Sequence, residues 1–477
     1  MNRLFLTALL ACCAPALAQA VPTALPTSQA APPVAAPAPA APAAALPALL
    51  GLLPASPGWR SADLQYRSAE LNLAAARARA GLNVNLGGDV NAAWIESDFK
   101  LTGEVTAEAA VSVLPWSPAL EAVRSAERAL NVARAEKRAA QADLTLRLTR
   151  SYTQARAAAQ NLALAQQQAD LSSELLRIGR EQSAQGLLAP ADLLDRQASA
   201  EQADLSLQSA RARLALSGQS LGQLLGQPVT LPSDPAAYAD LPRLDAVPGA
   251  LDTLLARAWA GRPEALRAVA AVADAEGRLR AADLDRLPDL TASVRAGQLA
   301  GTTNPASTGA ALSGSLGLKS GVAAVQARLP LGDGEYLSGV AANLSGKVYL
   351  LGGGRSEAQA QAQAALQLAQ LNVETVRQSL ALELRQALND LDLRRAALPA
   401  ARSTLEAART ALSRAEARQQ AGLETALTVA QARLRVVQAQ QALSQAETDA
   451  ALAALSLSAA STELDLNLLQ SLTGGSL

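Results

Sequence analysis

The chain carries one pattern twice. Residues 115–186 and 351–422 each follow a segment that alternates apolar and polar residues. Each continues as a long Ala-, Arg- and Gln-rich stretch of helical period. Each ends at a glycine turn, Gln185-Gly186-Leu187-Leu188-Ala189 in the first and Ala421-Gly422-Leu423-Glu424-Thr425 in the second. The offset is the same at both ends: 236 residues from Leu114 to Leu350, and 236 from Gly186 to Gly422. An equal offset means that the helix between strand and turn has one length in both copies. At ~1.5 Å per residue, roughly 70 residues make a rod on the order of 100 Å long. A repeat of this size decides the architecture before any local reading does. The chain is two half-molecules, each built on a rod of fixed length.

Half of the 477 residues are hydrophobic, mostly through alanine, and only 2% are aromatic, which favours long helices over a thick globular core. A net charge of −1 gives no electrostatic case for nucleic acid. Met1-Asn2-Arg3, the apolar run Leu4 to Ala11 and the small-residue sites Ala16-Leu17-Ala18 and Ala18-Gln19-Ala20 read as a secretory signal peptide over 1–20. Leu9-Leu10-Ala11-Cys12 is also compatible with lipid attachment. Both cysteines, Cys12 and Cys13, fall in this leader, and the chain has no histidine. Cleavage then leaves no thiolate, no imidazole and none of the usual zinc ligands, so the expectation is no enzyme, no cofactor and no metal. Residues 21–57 are uncharged and hold ten prolines. They read as a disordered, partly extended linker.

The first repeat, 58–226, opens with a helix over Ser61 to Ala80. The period then changes to two. Leu82, Val84, Leu86, Gly88, Val90, Ala92 and Trp94 face one way, with Asn83, Asn85, Gly87, Asp89 and Asn91 opposite. After a turn at Glu96-Ser97-Asp98, Leu101, Gly103, Val105, Ala107, Ala109, Val111 and Val113 alternate with Thr102, Glu104, Thr106, Glu108 and Ser112. Two strands of ~13 residues exceed the usual ~5–6 of globular strands and suit tilted membrane strands. A soluble sandwich is the alternative. The rod that follows has a seam at Leu144, Leu148, Ala155, Ala158, Leu162, Ala165 and Ala169. Its return helix runs from Pro190 only to about Leu225, so the helix at 61–80 is expected to line the rest of the rod.

Residues 227–250 form a connector, and 251–477 repeat the plan. Arg262-Pro263-Glu264 opens a helix to about Arg286. Strands lie over about 289–350, with an insert, 300–335, that the first half lacks. That insert has its own alternations, Leu312, Gly314, Leu316, Leu318 and then Val325, Ala327, Leu329, and reads as a long loop or two added strands. Pro399 is expected to kink the second rod or break its pairing. Gly352-Gly353-Gly354 lacks the Lys-Ser/Thr of a phosphate loop and reads as a junction turn.

Helix, strand pair and long helical hairpin, twice, behind a signal peptide, resembles the TolC family of outer-membrane efflux and secretion channels. Four segments carry the resemblance: Leu344-Ser345-Gly346-Lys347-Val348-Tyr349-Leu350-Leu351-Gly352-Gly353-Gly354-Arg355, Arg262-Pro263-Glu264, Gln185-Gly186-Leu187 through Asp192-Leu193-Leu194, and Leu287-Pro288-Asp289-Leu290. It covers about residues 59–470. It implies a mainly α fold with a β-barrel portion: a homotrimer sharing one 12-stranded transmembrane barrel, with a helical tunnel in the periplasm. It implies a passive duct, in contact with outer-membrane lipid, fed by an inner-membrane pump through a periplasmic adaptor protein. Physics points the same way, because four strands cannot close a barrel and open edges are not tolerated in lipid. The chain departs from the pattern in the 300–335 insert, in lacking an acid at the second tip where Asp192 stands in the first, and in having few aromatics near the strands. Under this resemblance the tips Gly186, Leu187, Gly422 and Leu423 are expected to meet the adaptor. Asp192, Asp195 and Glu424, with Arg180, Glu181, Arg414 and Arg418, are expected to narrow and charge the periplasmic end. A periplasmic coiled-coil spacer or tether is the rival reading, since it needs the rods but not the strands.

Overall fold

The computed structural model describes residues 46–95, 98–239, 241, 250–286, 288–301, 309–331, 336–347, 354–462 and 464. The expected signal peptide and most of the expected linker lie outside them. The folded body begins with α1 (Leu46–Leu52) and a 3-10 turn, Leu53–Ala55. The linker reading of 21–57 is therefore corrected for its last residues. Leu46, Leu49, Leu50 and Leu53 recur on one helical face and are fully buried. That apolar stripe outweighs the prolines, which sit near the helix start and in the 3-10 turn.

Helix α2 spans Pro57–Ala80, four residues longer than expected at its start. The cap is Ser56, whose hydroxyl accepts from the Trp59 amide at 3.3 Å, with Pro57 preset for the first helical position. Ser61 lies inside the helix and donates to the Gly58 carbonyl. Strands β1 (Asn83–Ile95) and β2 (Asp98–Ser112) pair antiparallel. Then α3 runs 67 residues, Pro118–Ala184, capped by buried Ser117, and α4 returns over Pro190–Leu225. The second half comprises α5 (Leu251–Gly261), α6 (Pro263–Leu284), β3 (Asp289–Gly301), β4 (Ala311–Gly317), β5 (Val322–Leu331), β6 (Tyr336–Lys347), α7 (Gly354–Gln420) and α8 (Ala426–Ala460). The rod α7 has the same 67 residues as α3. It runs as one helix through Pro399, at the cost of one ladder hydrogen bond.

Helices form a layer four across along its whole length. At the strand end the order is α2, α3, α6, α7; at the turn end it is α4, α3, α8, α7. The short return helices are thus completed end to end, as the lengths require. Gly226, closing α4, lies so near Pro57 that a Cβ there would come within 2.9 Å of the proline ring. The α3 seam is filled as its spacing dictates, with Leu148, Ala155, Ala158, Ala165 and Ala169 buried. The largest apolar cluster gathers at the middle of α3. There Leu148, Tyr152, Ala155 and Ala159 meet the α1 leucines, Leu214, Leu221 and Leu225 of α4, Leu455 of α8, and Val229 and Tyr238 of the connector. None of the described helices is long and apolar enough to cross a membrane.

All six strands belong to one sheet, in the order β1-β2-β5-β4-β3-β6. The insert resolves into the hairpin β4–β5, seated between the two halves' own strand pairs.

Candidate functional site

Two places carry the chemistry of this chain: the wall of strands at one end and the two helical turns at the other. The ladder registers align one apolar face across all six strands. Val84 and Leu86 of β1 face Ala109 and Ala107 of β2. Val105 pairs with Leu329 of β5, and Val325 with Gly314 of β4. Leu316 and Leu312 pair with Ala292 and Ala296 of β3, which in turn pair with Leu344 and Val340 of β6. The opposite face is mostly polar, with Asn85, Asp89, Glu104, Thr106, Glu108, Gln326, Arg328, Ser313, Ser315, Arg295, Ser293 and Asn343 among a few small or apolar residues such as Ala324 and Val322. Asp89 and Glu104 stand directly opposite each other, a repulsive pairing that Arg328 relieves by binding the Glu104 carboxylate. A sheet that is apolar on one side and charged on the other separates two media. Lipid and water are the pair for which strands of this length are built.

Each turn is a Schellman motif made by a Gly-Leu pair in the same roles. In the first, Gly186 has φ +72°, its amide donates to the Ser183 carbonyl at 3.0 Å, and the Leu187 amide donates to the Gln182 carbonyl at 2.9 Å. In the second, Gly422 has φ +73°, its amide donates to the Gln419 carbonyl at 2.9 Å, and the Leu423 amide donates to the Arg418 carbonyl at 2.8 Å. In such a motif the residue after the glycine usually packs back on the last helical turn. Here the residues it would meet there, Gln182 and Arg418, are polar, and Leu187 and Leu423 are left 74% and 71% exposed. Both turns therefore present an uncommitted leucine at the end of a 67-residue rod.

The charged residues expected beside the turns fall into two groups. Arg418 and Glu424 come together at 3.1 Å across the second turn, and the other Glu424 oxygen is buried without a hydrogen-bond partner among the described residues. Glu181 pairs at 2.5 Å with Arg177, one turn back on α3. Arg177 also binds Glu174, and these two carboxylates hold its guanidinium well above its usual range. Asp192, Asp195, Arg180 and Arg414 are exposed and are not brought to one another. Asp192 lies in the first turn of α4, where the helix dipole favours an acid.

Three arrangements had no clear signal in the sequence. Arg196 of α4 crosses to α3, donating to Gln182 Oε1 at 3.3 Å and to the Leu175 carbonyl at 3.4 Å, over the space that Gly179 leaves open. Arg433 of α8 makes the corresponding reach to Glu416 of α7 at 3.1 Å. Nearer the strands, Arg128 of α3 binds Asp274 of α6 at 2.6 Å and Glu121 at 3.0 Å, and Arg124 adds 3.1 Å to Glu121. Burial pushes the Glu121 carboxyl up, but the Arg128 and Arg124 hydrogen bonds outweigh it and hold the group below its usual value. The Arg128–Asp274 contact joins residues 146 apart in the chain, a distance over which spacing carries no information.

A family model described as outer membrane efflux protein matches residues 52–227 and 254–462. Solved structures share the fold. The outer membrane protein VceC of Vibrio cholerae is 19% identical, with a TM-score of 0.63 over 87% of this chain and 96% of that one. The CmeC outer membrane channel of Campylobacter jejuni is 13% identical, with a TM-score of 0.63 over 90% and 89%. The open-state MtrE outer membrane channel of Neisseria gonorrhoeae is 18% identical, with a TM-score of 0.61 over 87% and 88%. No curated protein matches the chain.

Proposed function

The chain belongs to the outer membrane efflux protein family, and from that membership we propose that three copies form a passive export duct. In this reading an inner-membrane pump and a periplasmic adaptor deliver the substrate, in a tripartite efflux or type I secretion system. It is a TolC-like outer-membrane efflux channel protein, not an enzyme.

The observation that carries the trimer is the sheet, two-faced and open at both edges. Its outer strands β1 and β6 have no further partner among the described residues. Open edges in lipid leave backbone groups unpaired at several kcal/mol each, so the sheet has to close on other copies. The helical layer supports the same closure. Its edge helices expose leucines at eleven-residue intervals, Leu194, Leu205 and Leu216 on α4 and Leu371, Leu382 and Leu393 on α7. At ~3.6 residues per turn, eleven residues return to the same face. Each edge thus carries an apolar stripe suited to a neighbouring copy. A tether would need the rods but would have no use for a sheet with one lipid-compatible face.

The turns Gly186-Leu187 and Gly422-Leu423 are the adaptor contacts in this reading, supported by their exposed leucines. Asp192, Asp195 and Glu424 would each become a ring of three acids about a narrow axis. Mass measurement in detergent combined with single-channel recording in a planar bilayer tests the proposal. Trimers that conduct are expected; monomers, or trimers that never conduct, would overturn it.

A further inference from the structure

The inserted hairpin β4–β5 continues the sheet's pattern in every respect that distinguishes wall from appendage. It keeps the alternation of strand direction. β2 and β3 flank it, and each is antiparallel to its new neighbour. It keeps both faces, with Leu312, Leu316, Val325, Ala327 and Leu329 on the apolar side and Ser313, Ser315, Gln326 and Arg328 on the polar side. Its base is fastened at the strand-to-helix junction. There the amides of Val113 and Leu114 donate to the Gly321 carbonyl at 2.9 and 3.1 Å, and the Trp116 indole donates to the Leu318 carbonyl at 2.9 Å. Lys319 binds Asp285 at 2.8 Å. Backbone bonds to β3 run from Gly309, whose amide donates to the Gln298 carbonyl, to Leu318, whose amide donates to the Leu290 carbonyl. Those ten residues match the ~9–11 that a tilted membrane strand needs.

The two halves differ by this hairpin. Pro57 and Pro263, the first residues of α2 and α6, lie 206 residues apart, whereas Gly186 and Gly422 lie 236 apart, so the second half has gained thirty residues. Gly301 and Tyr336, on either side of the gain, are opposite partners in the β3–β6 ladder. The hairpin has therefore entered at the apex of an otherwise plain strand pair.

Resting on the trimer proposed above, we infer that the assembled barrel has eighteen strands, six from each copy, and encloses a wider lumen than a twelve-stranded barrel. The edges permit it. β1 and β6 run in opposite directions, so β1 of one copy meets β6 of the next as an antiparallel pair. The arc fits as well. Four helices at ~9.5 Å spacing occupy ~38 Å of circumference per copy, and six strands at ~4.8 Å with a tilt of ~40° occupy a similar ~38 Å. Diameter grows roughly linearly with strand number, so eighteen strands give a wall ~1.5 times as wide as twelve and leave an open aqueous lumen.

The test compares the full chain with a variant in which an Asn-Gly turn replaces residues 302–335. Neutral polyethylene glycols of graded size, added on the strand side of a bilayer, report the lumen by the largest polymer that still lowers conductance. The parent is expected to admit polymers ~1.5 times the diameter that the variant admits, with both forming trimers. Equal cut-offs would overturn the inference. Leu316→Arg and Leu329→Arg provide an independent measurement that does not rely on the deletion folding. Both are expected to block membrane assembly, while Ser315→Arg on the other face is tolerated. Arginine accepted at both leucines would mean that the hairpin lies away from lipid. A parent that weighs as a monomer sinks the trimer itself; a parent trimer that accepts both arginines sinks only the strand number.

Discussion

Arg128 and Asp274 sit 2.6 Å apart, one on the first rod and one on the helix that opens the second half. With Glu121 they form a charged tie between the repeats beneath the strands. Asp274→Ala removes the shortest of these contacts and leaves Arg128 with Glu121 alone, while Arg280 of α6 stays 3.9 Å from Glu121. The side chains are 23% and 36% exposed, so screening limits the loss to about 1 kcal/mol. Glu121 adds a pH dependence. Its carboxyl is held below the ordinary 4.5, so the stability it contributes is complete above that value and is lost as pH falls through the lower, folded one. Thermal melting of the helical circular-dichroism signal from pH 7 down to pH 3 checks this. The parent is expected to lose stability below about 4.5, and Glu121→Gln to lose less.

The turns separate a structural from a recognition role. Gly186→Ala and Gly422→Ala place a Cβ at φ near +72°, at a cost of about 1–2 kcal/mol each, although no neighbouring atom lies within 4 Å of the new carbon. Leu187→Arg and Leu423→Arg alter exposed side chains and should change stability by less than about 0.5 kcal/mol. Export is expected to fail in the leucine variants while the trimer stays assembled. Export that survives both, but falters in the glycine variants, would leave the turns with a structural role alone.

What could be read from the sequence followed from period and length. The repeat with its equal offset, the strand alternation and the paired turns all depend on residues close in the chain, where spacing alone decides which face a side chain takes. The insert's two strands were legible as alternation in Leu312 to Leu318 and Val325 to Leu329. Their place between β2 and β3 was not, because the pairing of β5 with β2, whose nearest partners Ser112 and Val322 are 210 residues apart, is a tertiary choice. The burial of α1 escaped for the same reason. Leu46, Leu49, Leu50 and Leu53 look like part of a proline-rich linker until Tyr152 and Leu221 are brought against them. Among the site residues, Arg418 and Glu424 were close enough in sequence to be paired in advance. Arg196 and Arg433 were not, since each reaches a carbonyl or carboxylate on the opposite helix.

The apolar face of the sheet makes a depth-dependent prediction. Val105→Arg or Leu344→Arg puts a charge where the lipid midplane is expected and should cost about 2–4 kcal/mol. Thr106→Arg and Ser345→Arg point to the other side and should cost under about 1 kcal/mol. Urea titration of the reconstituted protein in vesicles measures both. Equal costs on the two faces would mean that the apolar side does not meet lipid.

The acids beside the turns make the last prediction. In one copy Asp192 and Asp195 are exposed and Glu424 is bound to Arg418. Around a three-fold axis each position would repeat three times at short range, and walls of low dielectric would focus the field. Three like charges at a constriction favour cations and attract divalent ions. Asp192→Ala and Asp195→Ala trimers are therefore expected to show reduced cation preference and weaker block by magnesium. Glu424→Ala should act differently. It frees Arg418, so the local charge goes from balanced to positive, and selectivity should shift further toward anions than in either aspartate variant. Reversal potentials in a salt gradient read all three. Unchanged reversal potentials in every variant would move the narrowest point away from the turns and onto the rods.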